Sequence, residues 1–145
     1  MAWVVDTCVL IDVLEDDPIF GRASALTLDE YATDGLIVCP ISFAELAPAF
    51  EGEPALQEEF LTGIGADYRQ DWTWEDTLRS HEAWNVFVQR RRSGVLPKRP
   101  MADILIGAFA SRRQGLITRI PDDFVKVFPD LAIRVPSPIP PAAAP

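Results

Sequence analysis

The sequence predicts an α/β protein, a three-layer α/β/α sandwich around a short parallel sheet. Three observations predict it. Compact apolar runs at residues 2–5, 36–39, 116–119 and 132–135 lack the apolar–polar alternation of a sheet with one wet face. Stretches of helical periodicity separate these runs. Carboxylates stand just beyond several of them, at the edge where open α/β sheets bind ligands.

The elements follow in order. Residues 2–5 read as a strand and 7–14 as a short helix, closed by the acidic turn Glu15, Asp16, Asp17, Pro18. A helix over about 20–33 is capped by Gly35. The run 36–39 is a second strand, broken by Pro40, and Ser42 with Glu45 has the spacing of a capping box. A helix over 53–61 carries Pro54 in its first turn, and 67–72 is a short strand or a loop. The pattern from Trp74 to Arg92 is helical, and the basic loop Pro97-Lys98-Arg99-Pro100 follows Gly94. Residues 101–114 form a helix ended by Gly115, 116–119 a strand, 122–128 a short helix and 132–135 a last strand.

At 145 residues the chain has the size of one domain, over 1–135, with a Pro/Ala-rich tail at 136–145 that lacks periodicity and reads as disordered. A chain of this length buries roughly 68–70% of its unfolded surface and needs no staples. Apolar content of 48% excludes a disordered class, and no apolar run reaches the ~18–20 residues of a membrane span. Without a basic segment leading an apolar one, no signal peptide is read, and the cytoplasm is the expected compartment. Cys8 and Cys39 match no zinc spacing and read as buried free thiols.

The net charge of −9 is unevenly spread. Residues 1–72 hold 2 Lys and Arg against 15 Asp and Glu, whereas 73–145 hold 11 against 7. Solvated helix faces of opposite sign would give this pattern. So would an acidic site beside a basic rim that meets phosphates.

Four segments bring acids toward one sheet edge: Asp6 after the first strand, Glu45 past the second, Asp103 in the first turn of its helix, and Asp122 and Asp123 past the 116–119 strand. Carboxylates brought together repel one another unless a cation compensates. With no matching His or Cys set, that cation is a hard one, Mg²⁺ or Mn²⁺. A local role stands beside each: Glu45 as half of a capping box, Asp103, Asp122 and Asp123 as first-turn acids, and Asp6 as the cap of the 7–14 helix. Asp12, close to Glu15, Asp16 and Asp17, reads as a solvated acid.

The ordered pieces VVDTCVLIDVL, ISFAELA, RPMADILIGAFA and LITRIPDDF resemble the PIN-domain family, and within it the VapC toxins of toxin–antitoxin pairs. The likeness runs over about residues 2–135. It implies a PIN-like nuclease domain, a metal-dependent endoribonuclease hydrolysing RNA, with Mg²⁺ or Mn²⁺ held by Asp6, Glu45, Asp103 and Asp123. Thr7, Thr118 and Asp122 fall where they would support those ligands. Arg90, Arg91, Arg92, Lys98, Arg99 and Arg119 are candidates for RNA phosphates. The resemblance further implies a homodimer and a cognate antitoxin covering the groove. The last motif departs from the family: Ile120 stands where an acid or amide is usual, and the later acid is Asp123.

Other classes fit less well. A haloacid-dehalogenase-like phosphatase wants an acid where Cys8 stands. His81, flanked by Ser80 and Glu82 within a helix, reads as a surface residue, and Gly63-Ile64-Gly65 is too short for a phosphate loop. A PIN domain with weakened catalysis, binding RNA or antitoxin, is the alternative that Ile120 supports.

Overall fold

A computed structural model describes residues 2–91 and 100–138 of the chain. β1 (Trp3–Val5) leads into α1 (Thr7–Leu14) and α2 (Gly21–Tyr31), then β2 (Leu36–Ile37), α3 (Pro40–Glu45), α4 (Pro54–Gly63) and β3 (Ala66–Asp67). The helices α5 (Trp74–Arg90) and α6 (Pro100–Ser111) precede β4 (Gly115–Ile117), α7 (Asp122–Val125) and β5 (Ile133–Arg134). The strands form one sheet in the order β3-β2-β1-β4-β5. Every pairing is parallel, with Trp3 opposite Leu36 on one side and Gly115 on the other.

The apolar runs lack alternation because both faces are covered. Successive strand residues point to opposite faces, and each face has its own core. Trp3, Val5, Leu36, Val38 and Ile117 pack with Val9 and Leu10 of α1, Leu28 of α2 and Leu61 of α4. Val4, Cys39 and Leu116 pack on the other side with Ile106 and Phe109 of α6 and with Phe124 and Phe128. This is the expected three-layer sandwich. No described helix is long and apolar enough to cross a membrane.

Two local expectations are corrected. Pro40 opens α3 rather than merely ending a strand, with Cys39 as the N-cap residue and no side-chain cap. Proline suits the first helical position because its missing N–H would have no partner there. Ser42 therefore lies inside the helix, its hydroxyl buried without a hydrogen-bond partner among the described residues, and the Ser42–Glu45 capping box is not formed. Gly115, expected to end a helix, instead begins β4. A side chain there would overlap the Ala132 carbonyl and the Trp3 ring. Of the tail expected to be disordered, residues 139–145 lie outside the described residues, as do Gly94 and the basic loop at 97–99.

Candidate active site

β1 and β4 are neighbours, yet the chain leaves β1 toward β2 and leaves β4 toward β5. Diverging exits open a crevice at the carboxyl edge of the sheet. Asp6 and Thr118 are the first residues past these two strands. The Asp6 N–H donates to the Ile117 carbonyl at 2.9 Å, which locks the two exits side by side.

Asp6 is 1% exposed. Its backbone is extended, and Oδ1 accepts the Thr7 N–H at 2.8 Å, so it does cap α1. Oδ2 turns to the other strand, accepting the Thr118 hydroxyl at 2.7 Å and the Cys8 thiol at 3.4 Å. The Thr118 oxygen itself accepts the Ile120 N–H at 3.1 Å. A hydroxyl has a single proton to give, and the amide occupies an acceptor position, so that proton is aimed at Asp6. Ile120 serves the site through its backbone. One residue along α1, the Thr7 hydroxyl donates to Glu45 Oε1 at 2.7 Å. Asp6, Thr7, Thr118 and Glu45, from three separate segments, thus form one linked set.

The other predicted acids are placed as follows. Asp103 is buried in the first turn of α6, which packs against α3 and β1. Asp123 is half-buried and Asp122 exposed, both in the first turn of α7. Among the described residues, no group of three or more His, Cys, Asp or Glu side chains stands together in a metal-holding arrangement.

Asp12 is not the solvated acid expected. It is 3% exposed and forms a two-pronged ion pair with Arg119, Nε to Oδ2 at 2.8 Å and Nη2 to Oδ1 at 3.1 Å. Ser24 Oγ adds a third donor at 3.2 Å. The signal lay in the sequence: α1 is apolar nearly all round, and such a helix is buried, so an acid within it needs a partner. Arg119, expected among the phosphate-binding residues, has its fork occupied by Asp12 and its face over Phe20, 4.5 Å from the ring centre. Arg90 and Arg91 are exposed near the end of α5, Arg90 donating to the Lys126 carbonyl. Arg92, Lys98 and Arg99 lie outside the described residues.

Both cysteines are free, Cys39 buried and Cys8 half-buried. Burial, reinforced by the Asp6 carboxylate, pushes the Cys8 thiol up to about 12. Burial also raises Cys39, to about 11. Cys8 therefore stays protonated at neutral pH and donates to Asp6. His81 is exposed, as expected.

The fold is similar to that of a solved structure of VapBC2 from Rickettsia felis bound to a DNA fragment from their promoter. The TM-score is 0.68 at 15% sequence identity, over 93% of this chain and 98% of that one. The fold is PIN-like. At this identity the likeness speaks for the fold alone. No protein-family model matches the sequence, and no curated protein matches it.

Proposed function

We propose that the chain is a metal-dependent endoribonuclease that hydrolyses RNA phosphodiester bonds, acting in the cytoplasm as the toxin of a toxin–antitoxin pair. The observation that carries this reading is the linked set Thr118–Asp6 and Thr7–Glu45 at the crevice between β1 and β4. The fold shared with a VapBC2 structure supports the toxin–antitoxin relation. A cognate antitoxin and a second copy of the chain are the partners this reading carries.

The donor set fits a hard divalent cation by its chemistry. Asp6, Glu45, Asp103 and Asp123 offer carboxylate oxygens only, the ligand type of Mg²⁺ and Mn²⁺. When bound, such an ion lowers the pKa of a coordinated water toward ~7 and offsets charge developing on the phosphate. The chain's own residues do the positioning. Thr118 holds one Asp6 oxygen and the α1 N-terminus the other, so the carboxylate cannot rotate freely. Thr7 holds Glu45 toward the same crevice. Asp103, carried in the first turn of α6, would join them as a ligand, and Asp123 would complete the set from α7. Exposed Arg90 and Arg91 are candidates to meet the RNA backbone.

The test is cleavage of a mixed RNA pool by antitoxin-free protein with Mg²⁺ or Mn²⁺, beside EDTA and Asp103→Asn controls. Cutting that needs the metal and vanishes in the variant supports the reading. Folded protein that binds RNA or antitoxin without cutting would favour a second reading, a PIN-like binding module. Ile120, 38% exposed where the family has an acid or amide, is the observation behind that alternative.

A further inference from the structure

We infer that the Asp12–Arg119 ion pair is a positioning strut that sets Thr118, and through it Asp6, for the reaction; the inference rests on the nuclease reading above. The β4 ladder with β1 ends at Ile117, and Thr118 keeps one bond to the sheet, its N–H donating to the Arg134 carbonyl of β5 at 3.0 Å, before residues 119–120 leave it beside the Asp6 carboxylate. Thr118 is bonded on both sides, to Asp6 at 2.7 Å and to the Ile120 N–H at 3.1 Å. Its position therefore depends on what anchors the segment. The β5 side is held by the Thr118 N–H, and Arg119 anchors the segment on the α1 side, reaching to Asp12 through two hydrogen bonds at 2.8 and 3.1 Å.

The anchor point matters because Asp12 and Asp6 belong to one rigid unit. Asp6 caps α1 and Asp12 lies on its later turns. Pinning Arg119 to α1 fixes the exit of β4 relative to the helix whose cap is Asp6. The far side of the strut is braced as well. Ser24 of α2 donates to Asp12, and Phe20 lies under the guanidinium. The turn carrying Phe20 is held by Asp17 Oδ1, which accepts the Ile19 and Phe20 N–H groups at 2.9 and 2.8 Å.

Stability alone does not account for the pair. A nearly fully buried acid costs desolvation, and well-packed apolar side chains commonly fill such a space at equal or greater stability. A planar fork meeting a carboxylate at two points supplies what apolar packing does not, a fixed direction.

The experiment compares Asp12→Asn, Arg119→Lys and the double variant with the native chain. It reads RNA cleavage across a salt series and the ¹H–¹⁵N shifts of Thr118 and Ile120 in metal-free protein. Arg119→Lys keeps the charge on a side chain that is 30% exposed, which protects the test if Asp12→Asn folds poorly. The expected result is a kcat loss of about 10- to 100-fold with KM held within about twofold. The double variant should be no worse than either single one, and the Ile120 amide should shift in all three. A raised KM with kcat unchanged in Arg119→Lys, absent from Asp12→Asn, would overturn the proposal and make Arg119 a phosphate contact. Unmoved Thr118 and Ile120 amides would overturn it too, whatever the activity. If the native chain cuts no RNA, the nuclease reading fails by itself, and the amide shifts still decide whether the pair sets residues 118–120.

Discussion

The Thr118 hydroxyl donates to the Asp6 carboxylate at 2.7 Å, joining residues 112 positions apart in the chain. Replacing it with the near-isosteric Thr118→Val keeps the volume and removes the donor. Outer hydrogen-bond partners of this kind are worth roughly 10- to 100-fold in activity or metal affinity. The expected outcome is a loss in that range for both, read by turnover and by Mn²⁺ titration, with the far-ultraviolet spectrum unchanged. A variant as active as the native chain would leave Thr118 without a role at the site.

Asp76 anchors the opposite end of the sandwich. It closes a capping box with Thr73 at the start of α5 and meets Arg112 at 3.0 Å and Arg113 at 3.4 Å. Burial pushes its carboxyl up, but the Thr73 N–H and the two arginines outweigh that and hold it below the usual carboxylate range. Asp76→Asn should cost about 2–3 kcal/mol at pH 7, under the full value for a buried pair because Arg112 is 38% exposed. A carboxyl lowered in the folded state contributes stability above its unfolded value, about 4, and loses it as pH falls through the folded value. Denaturant titrations should therefore show the gap between native and variant narrowing below about pH 4. A gap independent of pH would contradict the assignment.

Gly107 in α6 lies against the Phe128 ring, and a methyl group there would overlap it. Gly107→Ala, ordinarily favourable in a helix, should instead destabilise by about 1–3 kcal/mol. Adding Phe128→Leu should recover part of that loss in thermal melts. Stabilisation by the alanine alone would mean the two elements stand farther apart.

Ser42 carries a fully buried hydroxyl with no hydrogen-bond partner among the described residues. An unpartnered buried polar group costs about 1–3 kcal/mol. Ser42→Ala should therefore be neutral or stabilising by up to about 1 kcal/mol. A clear destabilisation in urea unfolding would show that the hydroxyl has a partner.

With their thiols raised to about 12 and 11, Cys8 and Cys39 should resist labelling in the native state. Alkylation at pH 8 should be slow and become fast on unfolding, because the thiolate is the reactive form. Rapid modification of Cys8 in folded protein would show that its proton is not held as described.

Much of the fold was legible because its signals are local. The runs around Trp3–Val5 and Gly115–Ile117 are apolar on both faces, which a buried parallel strand requires. Gly35, at φ 97°, closes its turn as expected. The errors arose where one residue type serves two purposes. Ser42 and Glu45 have capping-box spacing, but Pro40 starts the helix earlier and Glu45 turns to Thr7. Asp12 sits among acids in sequence, and only packing separates it from Glu15, Asp16 and Asp17 by burying it against Arg119.

The sequence by itself determined the class of fold, the order of elements and the sheet edge at which Asp6 stands, since periodicity and strand ends are properties of neighbouring residues. Which groups meet across that edge was decided by tertiary structure alone. The β3-β2-β1-β4-β5 order sets β4 beside β1, and only that placement lets Thr118 reach Asp6 and Arg119 reach Asp12. Hydrogen bonds act over about 3 Å, and a chain read in one dimension holds no record of which distant residues come that close.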